Sequence, residues 1–237
     1  MDRKTRVILC NYTKGGAGKT TVAVHIARIL TEQTPGKVLL MDCDSRPDSW
    51  KFFAGQRPSP NQARLSFPHR LDLWWNPPQS KGARFKPITK REYKQYNFVV
   101  IDADAPPEDA LTLLDNTLPD IFLVPIAESQ SHATEDIPIF LEDLEREIRF
   151  QRDSGIDYNP TVKIAPLGLE IEEIEAEVDI RLFSDIEIEI CVPMQSLDKE
   201  IRKALKEKNL IWEYPNLADT KSYFINLIKD KKIPEVN

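Results

Sequence analysis

Three cysteines in 237 residues, Cys10, Cys43 and Cys191, lie far apart and in or beside apolar runs. That spacing makes neither a disulfide framework nor a zinc site, and it suits a reducing cytoplasm. Long apolar runs are also missing: stretches such as Val38-Leu39-Leu40-Met41 reach only four to five residues. None approaches the roughly 20 that a helix needs to cross a bilayer. Met1 to Arg6 lack the apolar core of a secretory signal and lead into a strand-like segment, so secretion is not expected. Net positive charge is missing too: 32 Lys and Arg face 38 Asp and Glu, a formal −6. That balance argues against a generic nucleic-acid binder. No internal repeat is visible.

The charge that is present is unevenly placed. From Lys51 to Asn97 there are ten Lys and Arg against two acids, and from Gly168 to Ile190 nine acids against one Arg. Such asymmetry reads either as separate binding faces or as two differently solvated surfaces. Hydrophobic residues make up 41% and charged residues 30%, a composition that fits one sizeable α/β domain over 1–237.

Short β-branched apolar runs recur at Val7–Leu9, Val38–Met41, Phe98–Ile101, Ile121–Val124, Val162–Leu167 and Ile186–Val192. Most read as strands buried on both faces of a parallel sheet. Helical spacing of apolar residues lies between them, at Thr21–Thr31, Glu108–Leu118 and Ile137–Phe150, and again at Ser196–Asn209 and Ala218–Lys229. Alternating strands and helices predict a doubly wound, mostly parallel sheet flanked by helices. Gly55 to Pro87 breaks the pattern with six prolines and the pair Trp74-Trp75. It reads as an irregular excursion of about 55–90, with one short strand around Leu71–Trp75. It is either a partner surface or a loop packed by its own aromatics.

The first strand runs into Lys14-Gly15-Gly16-Ala17-Gly18-Lys19-Thr20-Thr21, and an amphipathic helix follows. Glycines let backbone N–H groups turn inward around phosphate oxygens, and the helix points its positive end at the same anion. Lys19 is placed to reach the β- and γ-phosphates of a nucleoside triphosphate, and Thr20 to ligate Mg2+. An ordinary phosphate loop would have Gly where this chain has Thr13; here a second lysine, Lys14, opens the loop. The run resembles the deviant Walker A motif, K-G-G-x-G-K-[ST], of the ParA/MinD family of ATPases, and the whole reading is closest to ParA-type partition ATPases. The resemblance implies that ATP and Mg2+ are the cofactors, that residues 14–21 bind nucleotide, and that Lys14 crosses a homodimer interface to the partner's nucleotide.

Two carboxylate motifs extend the resemblance. Asp42-Cys43-Asp44-Ser45-Arg46-Pro47-Asp48-Ser49 is similar to the family's D-x-D-P-Q and to the C-D-P-K-A-D-S of the nitrogenase iron protein, with Ser45 and Arg46 in place of Pro-Gln. It implies that Asp44 orients the attacking water and that Asp48 lies near Mg2+. Asp42 reads equally well as a strand-end cap. Phe98-Val99-Val100-Ile101-Asp102 has the Walker B pattern, with Asp102 holding a Mg2+-bound water. The family continues D-T-P-P, whereas this chain reads Asp102-Ala103-Asp104-Ala105-Pro106-Pro107, two residues longer, so Asp104 competes for the role. Val192-Pro193-Met194 falls where relatives place a loop near the adenine, which puts Pro193 among the nucleotide-binding residues.

Members resembling ParA form ATP-dependent sandwich dimers, coat nucleoid DNA non-specifically, and release it when a ParB-like adaptor stimulates hydrolysis. They partition plasmids or chromosomes, or position other large cargo. Lys199, Arg202, Lys203 and Lys206 fall on one helical face and are, with Lys208 on the same helix, the candidates for DNA contact, with Lys221, Lys229, Lys231 and Lys232 beyond. The same four residues also suit an ordinary solvated face, since Glu200 and Glu207 are interleaved. A MinD-like membrane helix is the competing use of the C-terminus, but its apolar residues read as core-facing. The phosphate loop is also compatible with a metabolic P-loop ligase or kinase, and with a nucleotide-gated scaffold of little turnover. The nitrogenase branch would need cysteines suited to an iron–sulfur cluster.

Overall fold

The computed structural model describes residues 5–59, 61–78, 85–113, 118–130, 132 and 134–231. The strands are β1 Arg6–Asn11, β2 Val38–Asp42, β3 Arg64–Ser66, β4 Leu71–Trp75, β5 Phe98–Ala103, β6 Ile121–Ala127, β7 Thr161–Leu167 and β8 Glu187–Ile190. The helices are α1 Lys19–Gln33, α2 Asp48–Ala54, α3 Lys90–Tyr93, α4 Pro107–Leu111, α5 Ile137–Asp153, α6 Ile171–Glu175, α7 Asp198–Glu207 and α8 Thr220–Ile228. One eight-stranded sheet runs in the order β3-β4-β2-β5-β1-β6-β7-β8, and every pairing is parallel except β3 with β4.

The strand order explains the sequence pattern. β1 is flanked by β5 and β6, and its Val7, Ile8, Leu9 and Cys10 have no solvent exposure. Alternate side chains feed opposite faces. Val7, Leu9, Met41, Ile101 and Val124 pack with Phe140, Leu141 and Leu144 of α5; Ile8, Cys10, Leu40, Val100 and Leu123 pack with α1 and α8. After β1 the chain goes to β2 on one side, and after β5 it crosses to β6 on the other. The carboxyl ends of β1 and β5 therefore open on a topological switch point, where open α/β sheets hold their ligands.

The doubly wound sheet is as the sequence predicts, and each of the six apolar runs contains or overlaps a strand. The helix expected at Glu108–Leu118 ends at Leu111, and residues 114–117 lie outside the described residues. The excursion does contain a strand at Leu71–Trp75, which lies parallel to β2. It also contains β3, for which the sequence carries no pattern: β3 turns back on β4 and closes that edge of the sheet. There the Arg64 guanidinium stacks 3.4 Å above the Trp74 ring and pairs with Glu92 at 2.8 Å.

The C-terminal helix is core. Phe224, Leu227 and Ile228 are fully buried, and Tyr223 donates its hydroxyl hydrogen to the Pro166 carbonyl at 2.9 Å. No described helix is long and apolar enough to cross a membrane. The end of the tail, including Lys232, lies outside the described residues, as do Met1 to Lys4.

His25 of α1 joins this helix to the core. Its Nδ1 donates to the Thr21 carbonyl at 2.6 Å, its Nε2 accepts from Ile211 N–H at 2.9 Å, and its ring stacks on Phe224 at 4.4 Å. Both ring nitrogens are thus committed to the neutral tautomer, and burial lowers the pKa to about 4. The folded value lies below the unfolded one of about 6.5, so the contribution to stability is complete above that value. It is lost as the pH falls towards the folded value, because the unfolded chain takes up a proton that the folded chain refuses. Between pH 7 and 5 this one group is expected to cost about 2 kcal/mol. Urea unfolding of wild type and His25→Leu at the two pH values checks it. The variant is less stable at pH 7, through the unpaired Ile211 N–H, but its pH dependence is flatter by that amount. An equally steep dependence in the variant would assign the acid loss to carboxyls instead.

Candidate nucleotide site

The loop between β1 and α1 wraps a cavity of about 950 Å3 bordered by α2, α7 and the ends of β6 and β7. Gly16 and Gly18 have φ of 76° and 103°, in the left-handed region that glycine adopts without strain. A Cβ on Gly18 would lie 2.2 Å from Leu167 Cδ1, so the loop backbone sits against the end of β7 as well as turning through it. Ala17 is fully buried in the core behind the loop. Gly15, Gly16, Gly18, Lys19, Thr20 and Thr21 all line the cavity.

Lys19 is 7% exposed and points back across the loop. Its Nζ donates to the carbonyls of Tyr12 at 2.9 Å and Lys14 at 2.7 Å, and lies 2.9 Å from Asp104 Oδ1. The Thr20 hydroxyl donates to Asp102 Oδ2 at 2.9 Å. The two acids that compete in the sequence are therefore divided: Asp102 meets Thr20, and Asp104 meets Lys19. Lys14 has turned the other way, to Asp136 just before α5, at 2.8 Å.

Asp42 and Asp102 are register partners at the ends of β2 and β5, 1% and 4% exposed. Burial pushes both carboxyls above their ordinary range, and the charge of Asp42 adds to the rise at Asp102. A divalent cation beside Thr20 would oppose that rise by favouring the carboxylate. Asp42 accepts from Ser49 Oγ at 2.7 Å, Trp50 N–H at 2.9 Å and Asp44 N–H at 3.1 Å. It therefore acts as a cap, holding the first turn of α2 from the end of a neighbouring strand.

Asp44 lines the cavity, and its Oδ1 accepts from Arg46 N–H at 2.8 Å and Ser45 Oγ at 3.2 Å. Its carbonyl accepts from Trp75 Nε1 at 3.0 Å, so the excursion is tied to this loop. Asp48, the first residue of α2, also borders the cavity and pairs with Lys51.

Pro193 is not among the residues that line this cavity; it lines another of about 390 Å3 with Tyr223, Asn226 and Leu227. Just beyond Pro193, Met194 pairs with Leu167, and Ser196 lines the nucleotide cavity. Arg202 and Lys206 line the cavity, Arg202 pairing with Asp198 at 2.8 Å, whereas Lys203 sits 5.1 Å from the Tyr214 ring centroid and Lys199 is not part of the lining. Nothing in the sequence signals the apolar wall formed by Phe52, Ile201 and Leu205. Their helices have to be packed before they share a cavity.

The donor set fits a nucleoside triphosphate with a divalent cation. The cradle has no room for a side chain at Gly18, Gly16 holds a positive φ that disfavours one, and the Thr20–Asp102 pair presents only oxygens, as hard cations require. The family model described as the CobQ/CobB/MinD/ParA nucleotide binding domain matches residues 8–226. No curated protein matches the chain. Among solved structures, apo McdA from Cyanothece superposes with a TM-score of 0.65 at 15% identity, covering 94% of this chain and 98% of that one. A ParA family ATPase from Chlorobium tepidum gives 0.62 at 12% identity, covering 96% and 100%. The septum site-determining protein MinD from Pyrococcus horikoshii, complexed with Mg-ADP, gives 0.57 at 14% identity, covering 94% of each. With a loop of paired lysines at the switch point of a doubly wound sheet, and the family model matched over nearly its whole length, the chain belongs to the CobQ/CobB/MinD/ParA family of nucleotide-binding domains.

Proposed function

We propose that this protein is a ParA-like ATPase: it binds ATP with Mg2+, closes into a sandwich homodimer, and partitions or positions DNA or another large cargo while a ParB-like adaptor stimulates hydrolysis. The observation that carries the reading is the loop with two lysines. Lys19 lies inside the cradle, and Lys14, about one-third exposed, points away from it to Asp136. A lysine used only on its own nucleotide has no reason to leave the cradle; one used on a partner's nucleotide does.

The residues divide the chemistry among them. The loop N–H groups and Lys19 hold the phosphates. Thr20 would ligate Mg2+, with Asp102 behind it and Asp48 across the cavity, partly through water; the ion neutralises charge that develops on the transferred phosphoryl group. Asp44 would orient the attacking water. Phe52, Ile201 and Leu205 offer an apolar wall for the base. Arg202 and Lys206 border the same cavity, so if α7 touches DNA it does so beside the nucleotide, and occupancy of one site bears on the other. The association of the protein with the nucleoid follows from the same reading.

The test is a titration of non-specific duplex DNA against the protein with ATP, with ADP and without nucleotide, at several salt concentrations. A net charge of −6 opposes binding by the monomer, and dimerisation doubles the local cations. Binding is expected with ATP only, falling steeply with salt through counterion release. A Lys14→Ala protein, expected to stay monomeric, should bind no better than wild type in ADP. Absence of binding at low salt with ATP would remove the DNA reading and leave a positioning role on protein or membrane.

A further inference from the structure

An ammonium group has three hydrogens to donate, and those of Lys19 already have three partners: the carbonyls of Tyr12 and Lys14 and the carboxylate of Asp104. A phosphate oxygen that reaches Lys19 must take the place of one of them. The two carbonyls belong to the loop itself, and moving either one dismantles the cradle. Asp104 is different. Its side chain is 42% exposed and lines the same cavity, and its charge has the sign of a phosphate's.

The backbone around Asp104 is fixed. Asn11, at the end of β1, donates its Nδ2 hydrogens to the carbonyls of Ala103 at 3.0 Å and Ala105 at 2.8 Å, one on either side. Only the side chain has to swing. Asp102 cannot play this part, because it is buried and bound to the Thr20 hydroxyl.

We propose that Asp104 is a built-in competitor for Lys19, holding the lysine where a phosphate oxygen would otherwise bind and so setting the affinity for nucleotide. The proposal rests on the nucleotide reading of the loop. It gives a use to the second acid in Asp102-Ala103-Asp104, which lies beyond the strand end that the Walker B role needs. In the free protein Asp104 keeps the buried ammonium paired and the loop in order. When nucleotide arrives it is displaced towards solvent, and part of the binding energy is spent on breaking its ion pair and overcoming its repulsion.

The experiment is a titration of a fluorescent ATP analogue with Mg2+ into wild type, Asp104→Ala, Asp104→Asn and Asp104→Glu, alongside the melting temperature of each without nucleotide. Asp104→Ala is expected to bind about tenfold more tightly at low salt, the size of one charge-assisted contact no longer given up. The gain should shrink at high salt as screening weakens the competitor. The same variant should melt lower without nucleotide. Asp104→Asn should share part of the gain, and Asp104→Glu should restore wild-type behaviour. A merely structural role would lower stability and affinity together. Affinity of Asp104→Ala equal to or weaker than that of a wild type that binds would overturn the proposal. A wild type that binds no nucleotide would remove the nucleotide reading, and the proposal with it.

Discussion

Lys19→Ala is expected to lose ATP binding at concentrations that saturate the wild type. The variant removes a charge-assisted contact to the phosphates, and such a contact contributes about 1.5–3 kcal/mol, or roughly 10- to 150-fold in affinity. A second loss adds to it. Lys19 Nζ bridges the carbonyls of Tyr12 and Lys14 from inside the loop, so its removal also loosens the cradle that presents the N–H groups. Asp104 would then stand beside the cavity without its counter-charge and repel the incoming phosphate. Calorimetric titration of ATP into the variant, with unfolding monitored separately, checks this. Unchanged affinity in a folded variant would mean that the loop does not hold phosphate.

Asp44→Ala is expected to separate turnover from binding: ATP is retained and hydrolysis falls by about 10²–10⁴-fold, the range for removal of a positioned proton-handling group. The structure gives the variant good prospects of folding. Among the described residues the Asp44 side chain accepts from its neighbours Ser45 and Arg46, whereas the bond from Trp75 is made to the backbone carbonyl that alanine keeps. With hydrolysis blocked, the protein should accumulate as an ATP-bound dimer in sedimentation. A monomer at saturating ATP, or hydrolysis at the wild-type rate, would remove Asp44 from the role.

The parts of the site that are legible in the sequence are the local ones. Residues 14–21 are contiguous, and the conformation of Gly16 and Gly18 follows from the turn that they make. The choice between Asp102 and Asp104 is not legible, because both acids follow the same apolar run. Their separation depends on Asn11, which grips the carbonyls of Ala103 and Ala105 from another strand. α2 leaves no sequence signal for a similar reason. It is seven residues long, follows a proline, and its first turn is capped by Asp42 from outside the helix. β3, with three residues, is too short for a period to show. The helical wheel of α7 correctly groups four cations but cannot say what lies opposite them; packing places a cavity beside two of the four. The inner strands β1, β2, β5, β6 and β7 are readable, since strands buried on both faces cannot hide their apolar runs.

The bond from the Trp75 indole to the Asp44 carbonyl has an optical consequence. Indole emission responds to its hydrogen-bond partner and to nearby charge, and Trp75 is half-buried at the end of a strand that is paired along its length with β2. Any rearrangement of the Asp44 loop therefore alters the surroundings of a chromophore that the chain already carries. The stretch that disrupts the regular alternation of strands and helices thereby equips the protein with an intrinsic reporter of the state of its Asp44 loop.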